Sequence, residues 1–252
     1  MELHACHCSL VNPKPHTDDP RRNSLLAALP GAELDRWQLT LEPVDLHMGQ
    51  VLCESGCTPA YVYFPTTAVA SLMYYTQEGA SAETAVVGND GMVGIGLFMG
   101  GNATPSRAVV QVAGQAYRLP ARAVRGEVTR GGLLLHMLLR YVQALIAQTA
   151  QTAVCNRHHS IEQQFCRRLL LGLDRSPSDE LMMTHERAAS LLGVRREGVT
   201  AAAQKLQRSG VIRYNRGRIA VLDRTRLEQG SCECYAAAKR EHDRLLPARV
   251  AA

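Results

Sequence analysis

Aromatic side chains are scarce in this chain: they make up 5% of it, with a single Trp and three Phe, so any core must be built mostly from aliphatic groups. No run of 18 uncharged apolar residues occurs. The longest candidates are Leu133 to Leu139, interrupted by His136 and ended by Arg140, and the glycine-rich stretch from Gly91 to Gly101. A membrane span is therefore not expected. The first residues carry His4, Cys6 and His7 without an apolar h-region, so secretion is not expected either. There is no P-loop, no HExxH and no ordered Ser/His/Asp set, and the histidines are scattered, which argues against an enzyme. Eight cysteines in 252 residues are too sparse for a disulfide scaffold. Reduced thiols in a cytoplasm are the expectation.

What is present points to a folded protein with an uneven charge distribution. Apolar residues at 46% and charged ones at 20% exclude a disordered chain, and the length suits one large or two modest domains. Residues 1–159 hold 11 basic and 12 acidic side chains, whereas residues 160–252 hold 17 basic and 11 acidic. Between Arg187 and Arg218 stand eight basic residues (Arg187, Arg195, Arg196, Lys205, Arg208, Arg213, Arg216 and Arg218) against one acid, Glu197. Such a local excess is the footprint of a site for a polyanion, although scattered charges alone would read as a solvated surface.

Residues 1–22 read as a flexible tail with Pro13, Pro15 and Pro20. Ser24 to Leu29 and Glu33 to Leu41 look like short helices separated by Pro30-Gly31. The texture then changes to short apolar runs bounded by turn residues. Val44–Met48, Tyr61–Phe64, Val69–Tyr75, Thr84–Val87, Arg107–Val112 and Gln115–Leu119 are candidate strands of an antiparallel sandwich or roll. From Leu133 the period becomes helical. Leu134, Leu138, Tyr141, Leu145, Gln148, Thr152 and Cys155 follow alternating spacings of four and three, a heptad seam, with Leu135, Leu139, Val142, Ile146, Thr149 and Ala153 in a second stripe beside it. A helix with two apolar stripes needs two partners. The expectation is a dimer through the seam and packing onto the chain's own β domain through the other stripe, against the plainer reading of a single buried core helix. A further helix follows from Ile161 to Leu173.

The segment from Thr184 to Leu206 carries the chemistry. Thr184 is a good N-cap for a helix over His185 to Leu192, Gly193 supplies a tight turn, and a second helix runs from Arg195 or Arg196 to about Arg208. Ala188, Leu191, Leu192, Val199, Ala203 and Leu206 form the inward set. Arg195, Arg196, Thr200, Gln204 and Lys205 are left outside. Two helices joined by a Gly-containing turn, with basic residues opening the second, match a helix-turn-helix whose second helix enters the major groove. There an arginine can bond guanine bidentately and a glutamate can accept from cytosine. Apolar alternation on either side of Asn215-Arg216-Gly217 reads as a β-hairpin, and a hairpin in this place is a wing whose arginines lie near phosphates.

With those residues in hand, the chain resembles the Crp/Fnr family of bacterial transcription regulators over about residues 24–230, most specifically in LLGVRREGVT, Leu191 to Thr200. The resemblance implies an α+β protein with an N-terminal antiparallel β-roll (a cyclic-nucleotide-binding-like jelly roll), a long dimerisation helix and a C-terminal winged helix-turn-helix. The corresponding divisions are a tail (1–22), a sensor roll (23–130), helix and hinge (131–159, with the hinge between His158 and Ser160), a DNA-binding domain (160–230) and a C-terminal helix and tail (231–252), the helix opened by Cys232-x-Cys234. It also implies base reading by Arg196 and Glu197, with Arg195 beside them. Thr184, Thr200, Gln204, Lys205, Arg216 and Arg218 would hold the DNA backbone. The family's third base-contacting arginine falls on Ala201, so base preference should differ. The implied partners are duplex DNA, a second copy of the chain, RNA polymerase and an unidentified small-molecule effector.

The family's cyclic-AMP site is degenerate here. Gly94 stands where a glutamate would bond the ribose, and Thr104-Pro105 occupy the phosphate site, with Arg107 nearby. Charge-assisted bonds worth roughly 1.5–3 kcal/mol each would be missing, so cyclic AMP is expected to bind poorly or not at all. The glycines at 94, 96 and 100 read as turn residues rather than a dinucleotide loop. No cofactor and no metal ligand are assigned. Two rival readings remain. One is redox or metal sensing through Cys6, Cys8, Cys53 and Cys57, since the oxygen-sensing branch of the family holds an iron–sulfur cluster on a wider N-terminal cysteine array. The other is an enzyme or metal-binding module with an incidental basic domain. His158 and His159 read as polar hinge residues.

Overall fold

The computed structural model describes residues 19–101, 103–176 and 178–246. Two short helices, α1 (Ser24–Ala27) and α2 (Gly31–Gln38), precede seven strands: β1 (Glu42–Leu46), β2 (Val51–Cys53), β3 (Tyr61–Pro65), β4 (Val69–Tyr75), β5 (Ser81–Val87), β6 (Arg107–Val112) and β7 (Gly114–Pro120). Helices α3 (Ala121–Arg130), α4 (Leu133–His158) and α5 (Ile161–Leu173) follow, then β8 (Glu180–Met182), α6 (His185–Leu192), α7 (Arg196–Arg208), β9 (Ile212–Asn215), β10 (Arg218–Val221), α8 (Arg224–Gln229) and α9 (Glu233–Leu245).

The first seven strands form two antiparallel sheets, ordered β1-β7-β3 and β2-β6-β4-β5. Leu46, Ala70, Val87, Val93, Val110 and Ala116 fill a mostly small and aliphatic core there, joined by Tyr63, as the scarcity of aromatics leads one to expect. The expected antiparallel roll is present. Strand β2 and helix α3 in this half, and β8 and α8 in the C-terminal half, are elements the sequence reading does not foresee.

Helix α4 differs from the sequence expectation in which stripe faces inward. All seven seam residues are buried within their own chain: Leu134, Leu138, Tyr141, Leu145, Gln148, Thr152 and Cys155. Tyr141 Oη donates to Met92 O at 2.8 Å, and Gln148 Oε1 accepts from Val86 N at 2.9 Å. Both bonds fasten the helix to the roll. The expectation that these seven face a second copy is thereby corrected: β5 is a sheet edge, and the helix lies along it. The neighbouring stripe is outward only in part: Leu139 is 50% exposed and Ile146 60%, with Val154 beside its end at 49%, while Val142 is buried. With 26 residues, α4 is long and apolar enough to cross a bilayer by length and composition. Nine of its side chains are nevertheless buried against the rest of the chain, so it is a core helix.

The C-terminal half packs directly on the roll. Val69, Met73 and Val86 share a core with Phe165, Leu169, Leu191 and Val199. Through that apolar contact runs an ion pair, Arg168 Nε to Glu83 Oε1 at 2.6 Å, with side chains only 3% and 7% exposed, and Ser71 Oγ donates to the same carboxylate. Arg187 reaches across as well, donating from Nε to Gln111 Oε1 at 2.8 Å and from a terminal nitrogen to Val110 O and Gln111 O. Arg187 therefore belongs to this contact rather than to an outward basic surface.

Candidate nucleic-acid interface

Helix α5 starts at a capping box, in which the Ser160 hydroxyl accepts from Gln163 N and the Gln163 side chain accepts from Ser160 N. This box ends α4 at His159 and turns the chain into the next domain. Thr184 then caps α6, accepting from Arg187 N at 3.1 Å. Gly193 closes α6 at φ +67°, a left-handed conformation that an L side chain adopts at a cost, and Val194 N donates back to Ala189 O. Arg195 is extended and stands at the N-cap of α7. The whole predicted inward set, Ala188, Leu191, Leu192, Val199, Ala203 and Leu206, is buried.

That packing leaves one face of α7 outside. Arg195, Arg196, Glu197, Ala201 and Gln204 are exposed, and Arg196, Glu197, Thr200, Ala201 and Gln204 line one shallow concavity. Among the described residues, no ion pair or hydrogen bond engages the side chains of Arg195, Arg196, Glu197 or Gln204. Two other expected contacts are otherwise engaged. Lys205 Nζ lies 2.6 Å from Glu162 Oε2, and Thr200 Oγ1 donates to Arg196 O and meets His185 Nδ1 at 3.0 Å. The His185 ring stacks on Tyr214 of the wing at 4.3 Å between centroids. Burial lowers its pKa, with Arg196 adding to the effect.

The wing is a two-residue hairpin. Asn215 pairs with Arg218, leaving Arg216 at φ +46° and Gly217 at φ +78° as the turn. Positive φ at both positions is the primed-turn geometry that suits strand twist, and Arg216 adopts it without a glycine's freedom. Arg213, Arg216 and Arg218 are all exposed.

The expected effector residues Arg107, Thr104 and Pro105 hold partners within the protein. Arg107 lies against Glu54, its terminal nitrogen 2.9 Å from Oε1, and over the Tyr75 ring. Thr104 Oγ1 meets Ser106 Oγ, and Pro105 O accepts from Ser55. Gly94 has φ +109°, and a Cβ there would meet the Tyr61 carbonyl at 3.2 Å, so a glutamate at this position would strain the turn. A larger concavity, about 960 Å³, lies elsewhere, between α1, α4 and α9. Of the rival cysteines, Cys6 and Cys8 lie outside the described residues. Cys53 is buried and Cys57 half-buried, and among the described residues no group of three metal-ligating side chains includes either. The quartet that does form, Cys155, His159, Cys232 and Cys234, was not foreseen.

Residues 163–229, from α5 to α8, match the profile of the Crp-like helix-turn-helix domain. They form a Crp-like helix-turn-helix domain. Beyond it, about three quarters of the chain shares the fold of solved structures of Crp/Fnr-type regulators. It is similar to a CRP-family transcriptional regulator from Thermus thermophilus at 18% identity and TM-score 0.63, covering 75% of this chain and 96% of that one. FixK2 from Bradyrhizobium japonicum superposes with TM-score 0.64 at 13% identity, covering 76% and 98% of the two chains. The c-di-GMP-responsive global regulator CLP from Xanthomonas campestris does so with TM-score 0.59 at 14% identity, covering 76% and 99%. No curated protein matches the chain in sequence. The Crp-like domain thus follows a roll and a long helix, the order of elements in that shared fold.

Proposed function

We propose that this chain is a sequence-specific DNA-binding transcription regulator of the Crp/Fnr type, acting in the cytoplasm as a homodimer on an inverted-repeat operator. The observation that carries this reading is the amino-terminal turn of α7, where Arg195, Arg196 and Glu197 are exposed and uncommitted on a buried scaffold. The turn enters the major groove: Arg196 and Glu197 read base edges, and Arg195 holds a base or phosphate. Gln204, Thr184, Arg216 and Arg218 contact the backbone. Lys205 and Thr200 join only by exchanging the partners they now hold. The second copy packs on the outward stripe, Leu139, Ile146 and Val154, because exposed aliphatic groups at helical spacing gain most from being covered. Two such domains related by a two-fold axis read half-sites about 34 Å apart. RNA polymerase and an effector other than cyclic AMP are the remaining proposed partners.

Selection of bound fragments from a genomic library, followed by duplex retardation at several salt concentrations, tests the reading. An inverted-repeat motif and a steep loss of affinity with salt are expected, with no change on adding cyclic AMP. Arg196→Ala should lose about 1–3 kcal/mol on the selected site and relax preference at one position. Equal weakening on all sequences would sink the base-reading role, and absence of any selected motif would sink the function.

A further inference from the structure

The four side chains that gather where the long helix ends have no role in DNA reading. Cys155 and His159 lie one helical turn apart at the C-terminal end of α4, and Cys232 and Cys234 open α9. One ligand atom from each falls within 4.8 Å of all the others. Cys155 Sγ and Cys232 Sγ are 3.5 Å apart, and Cys234 Sγ and His159 Nδ1 are 3.4 Å apart. A tetrahedral zinc ion, with Zn–S about 2.3 Å and Zn–N about 2.0–2.1 Å, sets its ligands at edges of roughly 3.5–3.8 Å. We propose that Cys155, His159, Cys232 and Cys234 form a closed Cys3His site for one zinc(II) ion per chain, tying the end of α4 to α9.

The surroundings suit a thiolate site. The three cysteines are 0%, 4% and 0% exposed, so the ion is shielded and no coordination position is left for substrate. His159 presents Nδ1 to the sulfurs while its Nε2 lies 3.2 Å from Glu233 Oε1, the carboxylate–imidazole arrangement that orients a metal-bound histidine. Gln151 Nε2 donates to Cys234 Sγ at 3.0 Å, a bond that stabilises negative sulfur. Arg167, 5% exposed, donates to Thr152 Oγ1 beside this group, and among the described residues its Nε has no hydrogen-bond partner. Among the described residues, no carboxylate lies within ion-pairing distance of Arg167. A buried cation without an anion is costly, and three thiolates around a divalent ion leave one net negative charge to balance it. Metal entry releases three protons from the three thiols to solvent, and no electron moves. Soft sulfur donors exclude magnesium and calcium, and a ligand set this narrow leaves no room for the iron and sulfide of a cluster.

Cobalt(II) is the probe. The full chain, kept reduced and stripped with chelator, is titrated with cobalt and then with zinc. One equivalent should produce the visible bands of tetrahedral cobalt and ultraviolet thiolate charge transfer, both erased by zinc. Cys155→Ser and Cys234→Ser should weaken cobalt by more than the roughly 10–100-fold that an outer-sphere change costs. His159→Cys should retain binding with stronger charge transfer, which separates ligand loss from misfolding, and Cys57→Ser should leave the titration unchanged. The proposal is overturned by the absence of a saturable tetrahedral spectrum, by a spectrum indifferent to Cys155→Ser, by iron–sulfur absorption in the purified chain, or by formation of a Cys155–Cys232 disulfide in place of metal uptake.

Discussion

The Crp-like domain carries arginines on two faces, and their situations are opposite. On the face turned to the roll, Arg168 and Arg187 have every role assigned: one is sealed against Glu83, the other bonded to Gln111 and two carbonyls. On the outer face, Arg195 and Arg196 are exposed with no partner among the described residues. Charge density along the chain treats these arginines alike. Burial separates them, because a guanidinium removed from water must find an acceptor within the protein. An exposed one can wait for an external anion. A basic stretch therefore marks a polyanion site only in the part of it that folding leaves uncommitted.

Substitutions on the two faces should separate stability from DNA binding. The largest effect belongs to the inner face. Arg168→Ala leaves Glu83 buried and uncompensated and should cost about 3–5 kcal/mol in denaturant unfolding, while Arg196→Ala should leave stability within about 0.5 kcal/mol. Equal losses for the two would erase the distinction between the faces. Helix α4 offers the same contrast one step down. Leu138→Ala should destabilise the chain by about 2–5 kcal/mol, whereas Leu139→Glu combined with Ile146→Glu should leave unfolding of the monomer nearly unchanged and abolish dimerisation in sedimentation. Dimers persisting in that double variant would exclude the outward stripe. A smaller effect is expected at the wing: Arg216→Gly relieves a positive φ, so stability should hold or rise by up to about 1 kcal/mol. The salt dependence of DNA binding should fall by about one phosphate contact. The smallest concerns His185, whose pKa burial lowers. The unfolded chain then binds the proton more readily, so stability is full above about pH 6.5 and declines as pH falls through that value toward the folded pKa. His185→Gln should flatten the midpoint between pH 7 and pH 5; an unchanged slope would remove the effect.

What the sequence makes legible follows from how local each signal is. Helices α5 and α6 and strand β6 are readable residue by residue, because their caps, periods and turns lie within a few positions. Strands β2 and β8 are three residues long and exist through pairing with β6 and β10, a long-range cause that leaves little local trace. The two stripes of α4 are visible in the heptad, but periodicity cannot say which stripe meets the roll. That is decided by the unpaired edge of β5, brought alongside by the fold. The helix-turn-helix is legible because Thr184, Gly193 and the Arg-Arg-Glu that follows lie close together in the sequence. The thiol–imidazole quartet was not, since its halves lie 73 residues apart between His159 and Cys232. Cys155 with His159 at one-turn spacing, and Cys232 with Cys234, were the only signals.

The side-chain amide of Gln148 has a consequence for solubility. By occupying the Val86 donor, it fills one hydrogen-bonding position on an outermost strand that could otherwise template another molecule's backbone. Shape-preserving loss of that amide, as in Gln148→Met, would leave the residue's bulk in place. Because one rung of the ribbon would then be open, the chain should become prone to concentration-dependent aggregation well before it becomes prone to unfolding.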